Sequence, residues 1–442
     1  MYFFYFDIMI NNDNIYIIKK LKMMGVKMIK LDINLINEDV NKCLLCKVPR
    51  CKNNCPISTD IPRVIELYRQ GKLDEAGEVL FKNNPLSVVC SIVCPHENQC
   101  SGNCIKGIKG EPVEFGNIEH YISMKYLKEL KPVKKSENGD KIAIVGSGPA
   151  GIVMAFILAE RGYDITIFER KHKLGGMLRY GIPEYRLPNS ILDLIEEKLL
   201  DLGVKIKYNT LVGPVITLDR LLEDGYKAVF IGTGVWDPKT LNIKGEMSGH
   251  VNYAINYLMS PETFNLGKKV IVIGAGNVAM DAARVAKRNG SDVTIVYRKG
   301  FEEMTATKQE IKEAKEDEVK FELFKSPVEI LENGVKFNLV EKIVDENGKA
   351  SFNIIENSEE IIECDSVIIA VSQSPKNNIV ANTKNLETSK GGLLAVDGLG
   401  HTTREGVFAS GDVVTGAKTV VEAAANAKKV AEAIDEYCKQ KR

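Results

Sequence analysis

Two stretches of the chain repeat one order of apolar and polar positions. In each, a short apolar run leads into a glycine-rich turn, then into helical spacing, then into a second apolar run, an order that predicts strand, helix and parallel strand. The first stretch has its apolar runs at Ile142–Val145 and Ile165–Phe168, with the helix running through Glu160. The second has them at Val270–Ile273 and Val293–Tyr297. Further strand-like runs, Ala228–Gly234 and Ser366–Ser372, end in small residues and fit crossings between two domains. A last run, Val407–Ser410, precedes an alanine-rich helix. Upstream the spacing is helical: Val64, Ile65, Leu67 and Tyr68 mark one short helix, Leu73, Ala76, Val79 and Leu80 a second, and Gly71 separates them.

This order predicts an α/β chain, a helical head followed by two nested Rossmann-like units. The boundaries read as 29–135 for the head, 136–255 with 376–442 for the first unit, and 256–375 for the second. At 442 residues each has room to bury its own core. Residues 1–28 stand outside this scheme. The opening MYFFYFDIMI is apolar, but no basic residue precedes it, Asn11–Asn14 interrupts it and no small-residue cleavage site follows, so a signal peptide is rejected. With Met23, Met24 and Met28 just downstream, the segment reads as a disordered extension or an upstream mis-start.

Charge narrows the function by exclusion. Lys plus Arg equals Asp plus Glu at 59 each, so no basic excess points to nucleic acid. No apolar run reaches the roughly 18 to 20 residues of a bilayer-spanning helix, so no membrane association is expected and the cytoplasm is the expected location.

The cysteines carry more. Eight of the ten fall between Cys43 and Cys104, leaving Cys364 and Cys438 for the rest of the chain, so their cause is local. The first group is Cys43, Cys46, Cys51 and Cys55, followed by Pro56; the second is Cys90, Cys94, Cys100 and Cys104, with Pro95 after Cys94. Disulfides do not suit a chain without a secretory signal and with nucleotide-binding cores behind the cysteines. Zinc suits closely spaced thiolates. A Cys-Pro closing a short cysteine run fits the ferredoxin type of pattern, in which the last cysteine can ligate a second cluster, and iron-sulfur is preferred over zinc. On spacing alone the head would hold two four-cysteine sites, brought together by the helical insert between them.

The first glycine turn reads Gly146-x-Gly148-x-x-Gly151, with Pro149 at the start of the helix. Its glycines permit a tight turn, close approach to a pyrophosphate and close helix-on-strand packing. Glu169 closes the second strand, where a carboxylate can accept hydrogen bonds from ribose hydroxyls. The second turn reads Gly274-x-Gly276-x-x-Ala279 and includes Asn277 and Val278; its second strand ends in Arg298 and Lys299, not in an acid. Two cations there suit a 2′-phosphate, so NADPH is expected over NADH. Gly411 and Asp412 end the last strand, a placement that in two-dinucleotide flavoproteins serves the ribityl and phosphate region of FAD. With Glu169 this assigns FAD to the first unit, interrupted by the second.

Further signatures are Glu111-Pro112-Val113 with Gly116-Asn117-Ile118-Glu119, and Gly175-Gly176 followed by Gly181-Ile182-Pro183-Glu184-Tyr185-Arg186-Leu187-Pro188. With the cysteine groups, they make the chain from about Cys43 onward resemble the small (beta) subunit family of NADPH-dependent glutamate synthase. It is also similar to the amino-terminal half of dihydropyrimidine dehydrogenase, its bacterial separate-subunit version, and the large subunit of ferredoxin-dependent NADH:NADP transhydrogenases. The resemblance implies interleaved ligands: Cys43, Cys46, Cys51 and Cys104 for one [4Fe-4S] cluster, and Cys55, Cys94, Cys100 and Glu119 for the other, with Cys90 a buried bystander. Arg170, Gly176, Arg186 and Thr419 complete the expected cofactor-binding set.

The implied function is an electron-input subunit of glutamate synthase type, passing electrons from NADPH to FAD, to the clusters and to a partner subunit. No long segment is left over for a domain that would bind glutamine, 2-oxoglutarate or a pyrimidine. Alternatives are the input subunit of a pyrimidine dehydrogenase, an NADP:ferredoxin oxidoreductase, or, from another class, a redox-sensing or assembly protein with structural clusters. The flavin supplies the chemistry, so no acid-base residue is nominated. His96, His120, His172, His250 and His401 are isolated and form no metal or triad spacing.

Overall fold

Short amphipathic helices with little sheet to rest on must pack on one another, and the head does so. The computed structural model describes residues 32–136, 139–346, 348–389 and 391–442, so residues 1–28 lie outside the described residues. The head comprises α1 (Ile33–Lys42), α2 (Arg50–Asn53), α3 (Ile61–Arg69), α4 (Leu73–Asn83), α5 (Ser87–Val93) and α6 (Phe115–Glu129). Asp32 caps α1 by accepting the Asn34 N–H. Gly71, at φ +73°, makes the turn between α3 and α4 that the sequence predicts. Val64, Ile65, Leu67, Ala76 and Leu80 from these two helices meet Phe115, Ile118 and Ile122 of α6 in one apolar cluster.

The first unit then runs β1 (Lys141–Val145), α7 (Pro149–Glu160), β2 (Asp164–Phe168), α8 (Met177–Tyr180), α9 (Asn189–Asp201), β3 (Lys205–Lys207), α10 (Leu218–Glu223) and β4 (Tyr226–Ile231). After β5 (Asp237–Pro238) comes the second unit: β6 (Val251–Tyr253), α11 (Ala254–Met259), β7 (Lys269–Ile273), α12 (Asn277–Arg288), β8 (Asp292–Tyr297), α13 (Lys308–Glu316), β9 (Lys320–Leu323), the ribbon β10 (Lys325–Leu331), β11 (Gly334–Val344) and β12 (Ala350–Glu363), and β13 (Ser366–Ile369). The chain returns through β14 (Gln373–Ser374) to β15 (Val407–Ala409), α14 (Asp412–Thr415) and α15 (Val420–Gln440).

Two five-stranded sheets result, ordered β15-β4-β1-β2-β3 and β6-β13-β7-β8-β9, all pairs parallel. β15 joins the first sheet after the second is complete, so the units are nested. β5 and β14 pair antiparallel where the chain crosses out and back. The second sheet takes its edge from β6, registered Val251 against Val367, and so begins ahead of residue 256, the boundary read from the sequence. A three-residue edge strand leaves too short an apolar run to announce itself. Among the described residues no helix is long and apolar enough to cross a membrane.

The head is anchored by aromatic packing. Phe156, fully buried on α7, meets Phe81 of α4 edge-on with ring centroids 5.3 Å apart, and α7 packs in turn on α15. Phe156→Ala is expected to cost about 3–5 kcal/mol, read as a lowered urea midpoint of the purified chain. An unchanged midpoint would show that this joint is not part of the cooperative core.

Candidate flavin, nucleotide and iron-sulfur sites

At the end of β1 the chain turns through Gly146, whose N–H donates to Phe168 O at 2.9 Å and ties the turn to β2. Gly151 sits where α7 comes down on that turn: a Cβ there would stand 2.0 Å from Gly146 O. Gly148 caps α7 and faces open space, its nearest neighbour to a Cβ being Gly232 O at 4.0 Å. Pro149 fills the first helical position, where no N–H is needed. The N–H groups opening α7 are thereby left for an anion.

Glu169 stands buried at the end of β2, as expected. Its carboxylate accepts the Ser147 N–H at 2.9 Å, the Ser147 O–H at 2.5 Å and the Lys171 N–H at 2.8 Å. It braces the glycine turn, a use that the ribose reading does not include. Arg170 lies over the Trp236 ring at 4.8 Å. Gly176 caps α8 against Gly148. Gly411, at φ +76°, lies against Ala150 and delivers Asp412, whose carboxylate accepts the Lys418 N–H at 3.3 Å. Burial pushes the Asp412 carboxyl up to about 7. Thr419 caps α15 in a reciprocal pair with Glu422, donating its O–H to that carboxylate at 2.6 Å. These residues gather at the carboxyl end of the first sheet.

Arg186 does not join them. Its guanidinium donates to Asp281 on α12 at 2.8 Å and to Glu310 on α13 at 2.6 Å, an ion pair between the units. Beside it, the Tyr185 ring lies under Arg284 at 5.2 Å and Arg288 at 4.2 Å, both from α12. The second turn is built like the first: the Gly274 N–H donates to Val296 O at 3.2 Å, Gly276 caps α12, and Asn277 and Val278 open it. Of the two expected cations, Arg298 is exposed and has no hydrogen bond or ion pair among the described residues. Lys299 turns away, its ammonium 4.9 Å from the centre of the Phe352 ring on the ribbon.

A cavity of about 1820 Å³ is lined by His96, Tyr185, Asn277, Arg298, Asp412 and Thr419, thus by the head and both units. Ordinary small-molecule sites hold roughly 300–1,000 Å³, so this one has room for more than one ligand. His96 stands in its wall with Nε2 buried and unpartnered, and burial lowers its pKa to about 4.

The thiols fall into two sets. Cys43, Cys46, Cys51 and Cys104 line one small space with Val113 and Phe115, and Cys100 borders it too; Cys43 feels the charge of Cys104 and Cys46, and Cys51 that of Cys104, Cys43 and Cys46. Burial pushes the Cys51 thiol up to about 11. Cys94 and Cys100 both feel Glu119, and Cys100 also feels Cys55. Glu119 is buried, accepts the Ser87 O–H at 2.7 Å, and has its carboxyl pushed up to about 7 by desolvation. Cys90 is buried next to Cys94 and accepts an N–H of the Asn84 amide at 3.2 Å. Among the described residues no three His, Cys, Asp or Glu side chains converge on a single ion. Thiolates of an iron-sulfur cluster surround a space and do not converge on one ion, and the thiols bordering this space fit such a group.

Two dinucleotide units around one cavity, with cysteine sets in a helical head, define a flavin and iron-sulfur oxidoreductase. Residues 140–429 match the family described as pyridine nucleotide-disulphide oxidoreductase, and residues 25–130 match dihydropyrimidine dehydrogenase domain II, 4Fe-4S cluster. The chain belongs to the glutamate synthase small-chain family. It is 33% identical over 427 residues to the glutamate synthase [NADPH] small chain of Escherichia coli K12, covering 89% of each. It is 34% identical over 433 residues to the NADP(+)-dependent formate dehydrogenase subunit beta of Moorella thermoacetica, covering 88% of this chain and 60% of that one. In fold alone it is similar to T. acidophilum thioredoxin reductase, with a TM-score of 0.53 at 22% identity, covering 68% of this chain and 98% of that one.

Sequence reading missed Asp281 and Glu310 as partners of Arg186. The Thr307-x-x-Glu310 capping box is a legible signal for Glu310; Asp281 left none.

Asp412 generates a pH test. Its carboxyl pKa is raised on folding, so its contribution is fully present below the unfolded value near 3.8 and is lost as pH rises through about 7. Asp412→Asn is therefore expected to raise the urea midpoint of flavin-free protein at pH 8 and leave it nearly unchanged at pH 3.5. A variant equally shifted at both pH values would remove burial of this charge as the cause.

Proposed function

We propose that the chain oxidises NADPH and delivers electrons through its head to a separate catalytic subunit, as an electron-input subunit of glutamate synthase type in the cytoplasm. The observation that supports this reading most is the shared cavity: the second glycine turn, Arg298, the stretch Asp412–Thr419 and the loop after Cys94 face one space. When bound, FAD would supply hydride acceptance and two [4Fe-4S] clusters would supply single-electron transfer.

The chain's own residues do the rest. The N-termini of α7 and α12 present free N–H groups to pyrophosphates. Arg298 meets the 2′-phosphate as an unpaired cation, and Lys299, held over Phe352, serves the ribbon. Cys43, Cys46, Cys51 and Cys104 hold one cluster; Cys55, Cys94, Cys100 and Glu119 hold the other, and Cys90, buried and hydrogen-bonded by Asn84, is a bystander. The relatives named as subunits of an NADP(+)-dependent formate dehydrogenase and of an NADPH-Fe(3+) oxidoreductase favour a second reading, in which the partner is a different oxidoreductase subunit or a ferredoxin.

Fresh anaerobic protein is expected to contain about eight iron and eight sulfide per chain with one FAD; zinc in place of iron would overturn the cluster assignment. NADPH is expected to bleach the flavin faster than NADH, and Arg298→Glu to narrow that preference by roughly tenfold, the order of one charge-assisted hydrogen bond. Equal bleaching rates in the unaltered chain would count against it. The chain alone should reduce ferricyanide but make no glutamate from glutamine and 2-oxoglutarate.

A further inference from the structure

The loops that carry the first thiol set differ from the rest of the surface. Residues 43–55 and 104–110 contain Lys47, Arg50, Lys52, Lys106 and Lys109 and no Asp or Glu, in a chain whose charges balance at 59 of each sign; Glu111, which follows beside Lys106 and Lys109, is paired with Lys42 at 3.7 Å. Lys52 is paired with Asp60 at 2.8 Å. The side chains of the other four have no hydrogen bond, ion pair or ring partner among the described residues. Between them stand Leu44, Val48, Ile105 and Ile108, exposed at 61%, 75%, 45% and 62%. One exposed aliphatic side chain is ordinary, but four grouped over one thiol set form a patch of the kind that a partner covers. Leu44, Val48, Arg50, Ile105 and Lys106 line the same small space as Cys43, Cys46, Cys51 and Cys104. Of the second set, Cys100 and Glu119 are buried and Cys55 and Cys94 are half-buried.

An apolar centre with a charged rim is the anatomy of a protein interface, and the sign of the rim selects the partner. We infer that this face docks a protein that presents carboxylates around its own one-electron centre, and that electrons leave the chain here. The inference rests on the function proposed above, in which the head is the exit. The exchange balances as NADPH plus two oxidised acceptors giving NADP⁺, two reduced acceptors and one proton.

Rubredoxin, a small acidic one-electron iron protein, serves as the probe, with basic mitochondrial cytochrome c as its opposite. Holoprotein is expected to bind immobilised rubredoxin with an affinity that falls as salt rises, because screening weakens rim charges. The triple variant Lys47→Glu, Lys52→Glu, Lys109→Glu should weaken binding by about tenfold or more and flatten the salt dependence. Its iron content and its NADPH bleaching of flavin should be unchanged, since none of the three is a proposed ligand. Leu44→Ser with Val48→Ser should weaken binding at all salt concentrations without changing the slope. The inference is overturned if the triple variant binds rubredoxin like the unaltered chain, if cytochrome c binds better, or if the face instead pairs two copies of this chain in sedimentation. It also fails if NADPH bleaches the flavin but rubredoxin neither binds nor is reduced. Failure of NADPH to bleach the flavin would strike the proposed function instead.

Discussion

Arg186 is the residue on which the arrangement of the two units depends. It leaves the first unit in the segment between α8 and α9 and is held by carboxylates from two helices of the second, Asp281 and Glu310. The side chain is only 19% exposed and Asp281 is 4%. Removing one partner of such a pair strands charge away from water, at a cost of about 3–5 kcal/mol. The neighbouring Tyr185, stacked under Arg284 and Arg288, adds area to the same joint. The joint also forms part of the cavity wall, so the contact that fixes the units also shapes the space between them. Arg186, which the resemblance counts among cofactor-binding residues, has its guanidinium held between the units.

The two sheets were legible because a buried parallel strand must be apolar throughout and its turn must be glycine-rich. β1, β2, β7 and β8 come within one residue of the runs read from sequence. Elements that break this rule were not. β6 is three residues at an edge, and the ribbon β10–β12 carries Ile354 and Ile355 side by side, both exposed, so it lacks the alternation that marks a half-buried strand. Within the site, the glycine turns were readable because each glycine answers to a local steric demand. The use of Glu169 was not, because its partner Ser147 lies 22 residues away in the sequence and only the fold brings the two together.

The head shows the same limit for cysteine. Two runs of four suggest two four-thiol sites, and spacing cannot say which thiol folds toward which. The structure places Cys100 and Cys104, both of the second run, around one space with the first three of the first run, while Cys100 also feels Cys55 and Glu119. α3 and α4 fold back as a pair and meet α6 in one apolar cluster, so distance along the chain does not decide which thiols come near one another.

The charged side chains of the cavity wall are held largely by one another, with the Asp412 carboxyl, pushed up to about 7 by burial, among the wall's groups. Arg186 is shared by Asp281 and Glu310, Arg284 is engaged by Glu313 and Asp317, and Lys325 by Glu360. His96 is held neutral by burial. Arg298 is left as an open cation, and a fixed positive charge suits recognition of a phosphate better than acid-base work, since guanidinium does not give up its proton. A wall so composed fits a hydride donor and an acceptor placed face to face, with the chemistry supplied by the cofactors.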